Sequence, residues 1–340
     1  PFRVPDTLAL GAGQNIVICA AKGNDAFLSQ YIGDAGKEAV FRFLEGTAES
    51  MIKMTGILPK IIACDLHPGY PTTAFAHRLA KRFDARVIQV QHHKAHVAAV
   101  AGEHGLSRYC GIALDGMGYG EDGSSWGGEV FLVDNGKTER IGSLEKRPQP
   151  GGDAAVMHPR QMLFGMLHHL PDHDLLEIFT QEEIRVQRKM IQEDYNTPYT
   201  SGTGRILDAA SALLGLCTER TYEGRPAMLL EAFAREPYPL RPIITRKGEM
   251  KILMTSPLFS FLWENRKKDR SRLAGTVQRY LAEGLYSIAR ETGLPIVLSG
   301  GVAGNAAISS FLKGKGILLH TSLPPGDGCI SFGQVICANR

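Results

Sequence analysis

No apolar run in the sequence approaches the ~18 residues that a membrane-crossing helix needs. The opening stretch, PFRVPDTLALGAG, lacks the charged-then-apolar order of a secretory signal. A cytoplasmic location with no membrane partner is therefore expected. The six cysteines (Cys19, Cys64, Cys110, Cys217, Cys329 and Cys337) include no C-x-x-C pair, and most sit in apolar runs such as IVICAA and IIACDL. That argues against a zinc knuckle and a disulfide framework, and for reduced core thiols. Excess charge is also missing: Lys+Arg is 38, Asp+Glu is 35 and the net charge is +3. A balance this even argues against nucleic acid as a partner. The one basic cluster, Arg266, Lys267, Lys268, Arg270 and Arg272, is broken by Asp269 and reads as a solvated loop or helix start.

What is present is an ordinary globular composition, 44% hydrophobic and 21% charged over 340 residues, enough for one large domain or two of usual size. The chain begins at Pro1 rather than methionine, and the expectation is a trimmed start or a piece of a longer protein. Three strands are read at Leu8–Ala12, Asn15–Ala21 and Ala26–Ile32, the first two joined by a Gly13-Gln14 hairpin. A helix through Val40, Leu44, Ala48 and Met51 follows, then a strand at Lys60–Leu66, a helix at Thr73–Phe83, a strand at Arg86–Gln91 and a helix at His92–Glu103. The order then restarts with strands at Tyr109–Asp115, Gly128–Asp134 and Thr138–Leu144. It resumes at Pro295–Ser299, a helix at Asn305–Leu312, a strand at Ile317–His320 and a helix at Ile330–Ala338. Two copies of one element order imply an α/β, two-lobed, actin-like (ASKHA) architecture with two ribonuclease-H-like lobes, residues 1–106 and 107–340. A helical insert at about 151–278 splits the second.

Five constellations carry the chemistry. In Gln91-His92-His93-Lys94-Ala95-His96, His92 and His96 stand at i and i+4 of a helix that follows a buried strand, so both imidazoles can reach one metal; the plain alternative is a polar helix start. Asp115-Gly116-Met117-Gly118 at a strand end offers a carboxylate for a metal and amides for phosphate, or else a glycine-rich hairpin with no ligand. Ser299-Gly300-Gly301-Val302-Ala303-Gly304-Asn305 is a strand-to-helix glycine turn where backbone can approach a nucleotide; it is neither G-x-G-x-x-G nor a P-loop. Asp327 in Gly326-Asp327-Gly328 either caps the last helix or supplies a further carboxylate. Two histidines with one or two carboxylates suit Fe, Zn or Mn. In the insert, Asp208 or Glu223 can bond ribose hydroxyls or serve as plain helix-turn residues.

Together the stretches AKGNDAFLSQYIGD, ACDLHPGYPTT, QVQHHKAH, ALDGMGYGEDGSSWGGE, SGTGRILDAASALLGL, TYEGRPAM, LSGGVAGN and PGDGCISFGQ resemble, in order, the C-terminal module of the HypF family of NiFe-hydrogenase maturation carbamoyltransferases. That module is similar to the tRNA threonylcarbamoyl-transferase family. The resemblance implies metal ligands His92, His96, Asp115 and Asp327, with His92, His96 and Asp115 catalytic. It implies a nucleotide along Gly116, Gly118, Gly151, Asp208, Gly300, Gly301 and Asn305. The implied cofactors are one divalent metal (Fe or Zn first, Mg also admissible) and ATP or carbamoyl-adenylate. The implied partners are HypE, whose C-terminal cysteine thiol accepts the carbamoyl group, and upstream HypF domains on the same or another chain. Met117, Ala303-Gly304, Gly326, Cys329 and Lys94 depart from the usual family residues. A sugar-kinase-like phosphotransferase, a small-molecule O-carbamoyltransferase and a non-catalytic HypE-docking module are the alternatives on the same fold.

Overall fold

The structure is a computed structural model and describes residues 4–339. Continuous apolar runs form its central strands, and amphipathic runs form the helices that cover them. The first half comprises β1 (Val4–Ala9), β2 (Cys19–Gly23), β3 (Asp25–Leu28), α1 (Glu38–Thr55), β4 (Ile61–Asp65), α2 (Pro71–Phe83), β5 (Arg86–Val90) and α3 (His92–Glu103). Its sheet runs β3-β2-β1-β4-β5, with β1, β2 and β3 antiparallel and β4 and β5 parallel to β1.

The second half begins with β6 (Arg108–Tyr119), β7 (Ser125–Asp134), β8 (Lys137–Leu144) and β9 (Arg147–Pro148). A mainly helical stretch follows: α4 (Asp153–Met157), α5 (Pro159–Leu167), α6 (Asp172–Leu175), α7 (Gln181–Gln192), β10 (Tyr199–Thr200), α8 (Thr203–Leu213), α9 (Arg225–Phe233), β11 (Ile244–Lys247), β12 (Met250–Leu253) and α10 (Ser256–Glu264). The chain closes with α11 (Arg270–Arg290), β13 (Ile296–Ser299), α12 (Ala306–Lys313) and α13 (Ile330–Ala338). Strands β8, β7, β6 and β13 repeat the order and sense of β3, β2, β1 and β4. The two-lobed α/β fold expected from element order is the one found.

Three local readings differ, each for a physical reason. Strand β1 ends at Ala9 and no Gly13-Gln14 hairpin forms. The Gln334 side chain instead accepts from Gly11 N at 2.9 Å and donates to Gly11 O at 3.0 Å, drawing this segment off the ladder. Strand β6 runs on past Asp115 to Tyr119 through an irregularity. Leu114 pairs with Gly128 and Gly118 with Trp126, so β6 has two extra residues there; such bulges re-aim side chains. The expected strand at Ile317–His320 shrinks to one parallel bridge, Leu318 to Val297.

Helix α3 lacks the usual polar face. His92, His93, Ala95, His96 and Val97 to Ala101 are all buried, because the helix lies between β6 and β13 on one side and α13 on the other. A helix buried all round must be apolar all round, and close neighbours require small residues. A Cβ on Gly333 of α13 would fall 1.9 Å from Ala95 O, and one on Gly111 of β6 would fall 2.5 Å from Val97 Cβ. Helix α13 also covers the first sheet, where Val335 and Ala338 pack with Ala9, Cys19 and Ala63. Asp269 caps α11 by accepting from Ser271 N at 2.8 Å, and Arg266 pairs with Glu177 at 2.6 Å, so the basic cluster is largely structural. No helix among the described residues is long and apolar enough to cross a membrane.

Gly333→Ala is expected to destabilise the chain by ~1–3 kcal/mol through overpacking. Gly46→Ala, on the open face of α1 with nothing within 4 Å, is expected to stabilise it by ~0.5–1 kcal/mol. Urea unfolding midpoints of the two variants measure both.

Candidate metal centre and nucleotide cleft

The site is assembled where β5 passes into α3. Gln91 caps the helix, its Oε1 accepting from Lys94 N at 3.0 Å. Its amide nitrogen donates to Tyr119 O and to His93 Nδ1, each at 3.1 Å. That leaves the His93 proton on Nε2. One turn along, His92 and His96 lie on one face with rings 4.9 Å apart. The β6 irregularity brings Asp115 opposite them, and Gly116 N donates to Asp115 Oδ1 at 2.7 Å, fixing the carboxylate. A short 3₁₀ turn at Gly326–Cys329 presents Asp327. Asp327 does not cap α13: the cap position is Cys329, with no side-chain capping bond.

His92 Nε2 is 3.2 Å from Asp115 Oδ2 and 3.6 Å from Asp327 Oδ1. His96 Nε2 is 3.8 Å and 3.5 Å from the same two oxygens. The four donor atoms lie within 4.8 Å of one another. Bonds of ~2.0–2.1 Å in a tetrahedral site put neighbouring ligand atoms roughly 3.3 Å apart, so the spacing fits a small divalent ion. His96 Nε2 is buried with no hydrogen-bond partner, a costly state unless something occupies the gap. The third histidine, His93, holds its Nε2 3.7 Å from Asp115 Oδ2.

Charge points the same way. Asp65, wholly buried at the end of β4, accepts from His92 Nδ1 at 2.9 Å, so three carboxylates surround His92. Burial opposes charge on His92, but Asp115, Asp327 and Asp65 outweigh it and hold its pKa well above the usual imidazole range. Burial opposes ionisation of Asp115 and Asp327, yet the histidines hold Asp115 well below the carboxylate range and Asp327 at about 2. His96 is raised to about 9 against burial, chiefly by Cys329 and Asp327. His93 is lowered by burial and stays neutral. The cluster is thus an anionic cavity that takes up protons where it does not hold a cation.

The centre floors a cleft of roughly 1430 Å³ between the two lobes. Gly116, Asp208, Gly301 and Asn305 line it, as do Glu223 and Asp327. Asp208 pairs with Arg205 at 2.7 Å, and burial raises its pKa despite Arg205 and Arg220. Asn305 caps α12, its Oδ1 accepting from Ile308 N at 3.1 Å, while its Nδ2 has no partner. Gly118, Gly151 and Gly300 lie outside that lining. A Cβ on Gly118 would meet His93 Cε1 at 2.5 Å, one on Gly151 would meet Gln161 Oε1 at 2.4 Å, and one on Gly300 would meet Leu114 O at 2.2 Å. Their bareness makes room for neighbouring protein atoms. Asp65, His93 and Ser299 join the candidate site without being predicted from the sequence. The position of Asp65 at a buried strand end, where α/β folds place their sites, was the available signal.

A family model described as "Carbamoyltransferase, Kae1-like Domain, second subdomain" matches residues 111–334, and one described as "HypF Kae1-like domain" matches residues 3–103. The probable carbamoyltransferase HypF of Methanocaldococcus jannaschii is 35% identical, over 96% of this chain and 45% of that protein. A carbamoyltransferase HypF homolog of Cupriavidus necator is 31% identical, over 98% of this chain and 91% of that protein. Among solved structures, a full-length HypF in its phosphate- and nucleotide-bound form superposes with TM-score 0.91 at 31% identity, covering 99% of this chain and 55% of that one. HypF of T. kodakarensis superposes with TM-score 0.88 at 33% identity, covering 99% and 48%. The chain spans about half the length of the first curated relatives it matches. Matched along both of its sheets, the chain belongs to the HypF carbamoyltransferase family.

Proposed function

We propose that this chain is a carbamoyl-transfer module, with residues 1–106 and 107–340 as its lobes and 151–278 as an insert in the second. It takes carbamoyl-adenylate and passes the carbamoyl group to the C-terminal cysteine thiol of HypE, on the route to the cyanide ligand of NiFe hydrogenase. The observation that supports this reading is the cluster of His92, His96, Asp115 and Asp327 on the floor of a nucleotide-sized cleft, in a chain of this family. Two imidazoles and two carboxylates suit Fe or Zn, with Mg admissible on the carboxylates. A bound divalent ion would supply the positive charge that polarises the carbamoyl carbonyl or holds the adenylate phosphate.

The chain's own groups do the rest. Gly116 and Gly301 line the cleft, where bare backbone lets a phosphate approach closely. Asn305 Nδ2 is an unspent donor, and Asp208, held by Arg205, is an acceptor for ribose hydroxyls. In the transfer, the acceptor sulfur bonds to the carbamoyl carbon while the carbon–oxygen bond to the adenylate phosphate breaks. AMP leaves with that electron pair and the thiol proton passes to solvent. No residue of this chain need be a covalent nucleophile. Tyr31, Met117, Met157, Tyr222 and Met228, all well exposed, line the cleft. Flexible thioethers and aromatic faces of this kind suit an incoming peptide tail.

The test mixes the chain with HypE and carbamoyl-adenylate, with and without chelator, and reads the acceptor by intact-protein mass spectrometry. A carbamoyl mass gain on HypE is expected. It should fall by roughly two orders of magnitude or more in a His92→Ala/His96→Ala variant, because lost charge stabilisation of several kcal/mol is at stake. A stable HypE complex without transfer by a metal-loaded chain would favour the docking module instead. Asp65→Ala, which frees the far nitrogen of His92, is expected to lower divalent-metal affinity about 10–100-fold by chelator competition.

A further inference from the structure

Glu103 ends helix α3, seven residues beyond His96, and only 7% of its side chain is exposed. Its two oxygens do different work. Oε1 accepts from the backbone N–H of Ser322 at 2.6 Å and Leu323 at 2.8 Å, and more weakly from Thr321 at 3.3 Å. These residues begin the loop that delivers Asp327. Oε2 accepts from His320 Nδ1 at 2.8 Å. A carboxylate only accepts, so His320 carries a proton on Nδ1; Cys329 and Glu103 raise its pKa against burial, and in the singly protonated ring Nε2 is the acceptor.

That Nε2 is 2.9 Å from Ser299 Oγ, and Ser299 Oγ is 3.3 Å from His96 Nδ1. Ser299 is wholly buried at the end of β13. The Ser299 hydroxyl donates to His320, which turns its oxygen into the acceptor for His96 Nδ1–H. Cys329 Sγ, 3.5 Å from the same nitrogen, is a second, softer acceptor. With its proton held at Nδ1, His96 turns a lone pair at Nε2 toward Asp115 and Asp327. Burial opposes the charge of Glu103, but the Leu323 and Ser322 amides and His320 keep it ionised, with its pKa below the carboxylate range.

We propose that Glu103 is a positioning residue of the metal centre. Through His320 and Ser299 it sets which nitrogen of His96 is free to bind the ion, and through residues 321–323 it anchors the loop that carries Asp327. The inference rests on the reading that the His92, His96, Asp115 and Asp327 cluster holds a divalent ion. Outer partners that fix a histidine tautomer in this way raise metal affinity, typically 10–100-fold.

Glu103→Gln separates the two roles. The amide oxygen can still accept from the loop amides, so the brace survives. The amide nitrogen then donates to His320 Nδ1, which moves the His320 proton to Nε2 and reverses the relay. Ser299 would then donate to His96 Nδ1 and leave the His96 proton on Nε2, where the ion should bind. The experiment measures Co²⁺ binding to the full chain by its visible absorption and by chelator competition, with urea unfolding of the metal-free chain alongside. Glu103→Gln is expected to lose about 10–100-fold in Co²⁺ affinity with an unchanged urea midpoint. Ser299→Ala is expected to lose affinity as well, and Glu103→Ala both affinity and midpoint. Wild-type affinity in Glu103→Gln overturns the relay, as does a Glu103→Gln loss that merely follows a fallen midpoint. A loss in Glu103→Gln with none in Ser299→Ala overturns the route through Ser299. Failure of the wild-type chain to bind Co²⁺ overturns the metal reading itself, and this inference with it.

Discussion

Helix α3 is the constraint on which the rest of the molecule turns. It is pressed between a sheet and another helix and has almost no solvent face, so its middle must be small and apolar. Polar groups are confined to its two ends. At the first end they are His92, His93, Lys94 and His96; at the other end is Glu103. Because the helix is held on both sides, its end groups inherit its rigidity. Catalytic and binding groups placed on such an element keep their geometry better than groups on loops.

Around the first end the electrostatics are deliberately unbalanced. Asp65, Asp115 and Asp327 gather about two imidazoles with no lysine or arginine in the cluster. Burying several like charges is costly unless counter-charge is supplied. Protons on His92 and His96 supply it in the metal-free chain, which is why their pKa values stand above the ordinary imidazole value. The stability they lend is fully present below about 6.5 and is lost as pH rises through their folded values, about 9 for His96. A divalent ion replaces those protons rather than joining them, so ion uptake and proton release are one event.

Much of this was legible in the sequence, and the exceptions have a common cause. The i, i+4 histidines and the repeated element order are local patterns, and local patterns survive into the fold. What local pattern could not show was which distant side chain would claim a backbone group. The Gly13-Gln14 hairpin is absent because Gln334 takes both polar groups of Gly11. The turn read at Asp115 is an irregular strand because the Gly120–Ser124 segment, closed by Gly120 N to Ser124 O at 2.9 Å, makes the turn instead. The glycines expected along a nucleotide at 118, 151 and 300 stand outside the lining of the cleft, and neighbouring protein atoms take the space beside them. Asp65, Ser299 and Glu103 lie on three separate elements and share no motif spacing.

The bond between Gln334 and Gly11 spans 323 residues, and it bears on how the chain is made. Strands β1 to β5 emerge from the ribosome long before α13, yet α13 supplies the cover for Ala9, Cys19 and Ala63. At ordinary rates of about 5–20 residues per second, that leaves the first sheet waiting many seconds for its last partner. For that interval the face formed by Ala9, Cys19 and Ala63 lacks its covering helix, and transiently exposed apolar surface of this kind favours aggregation.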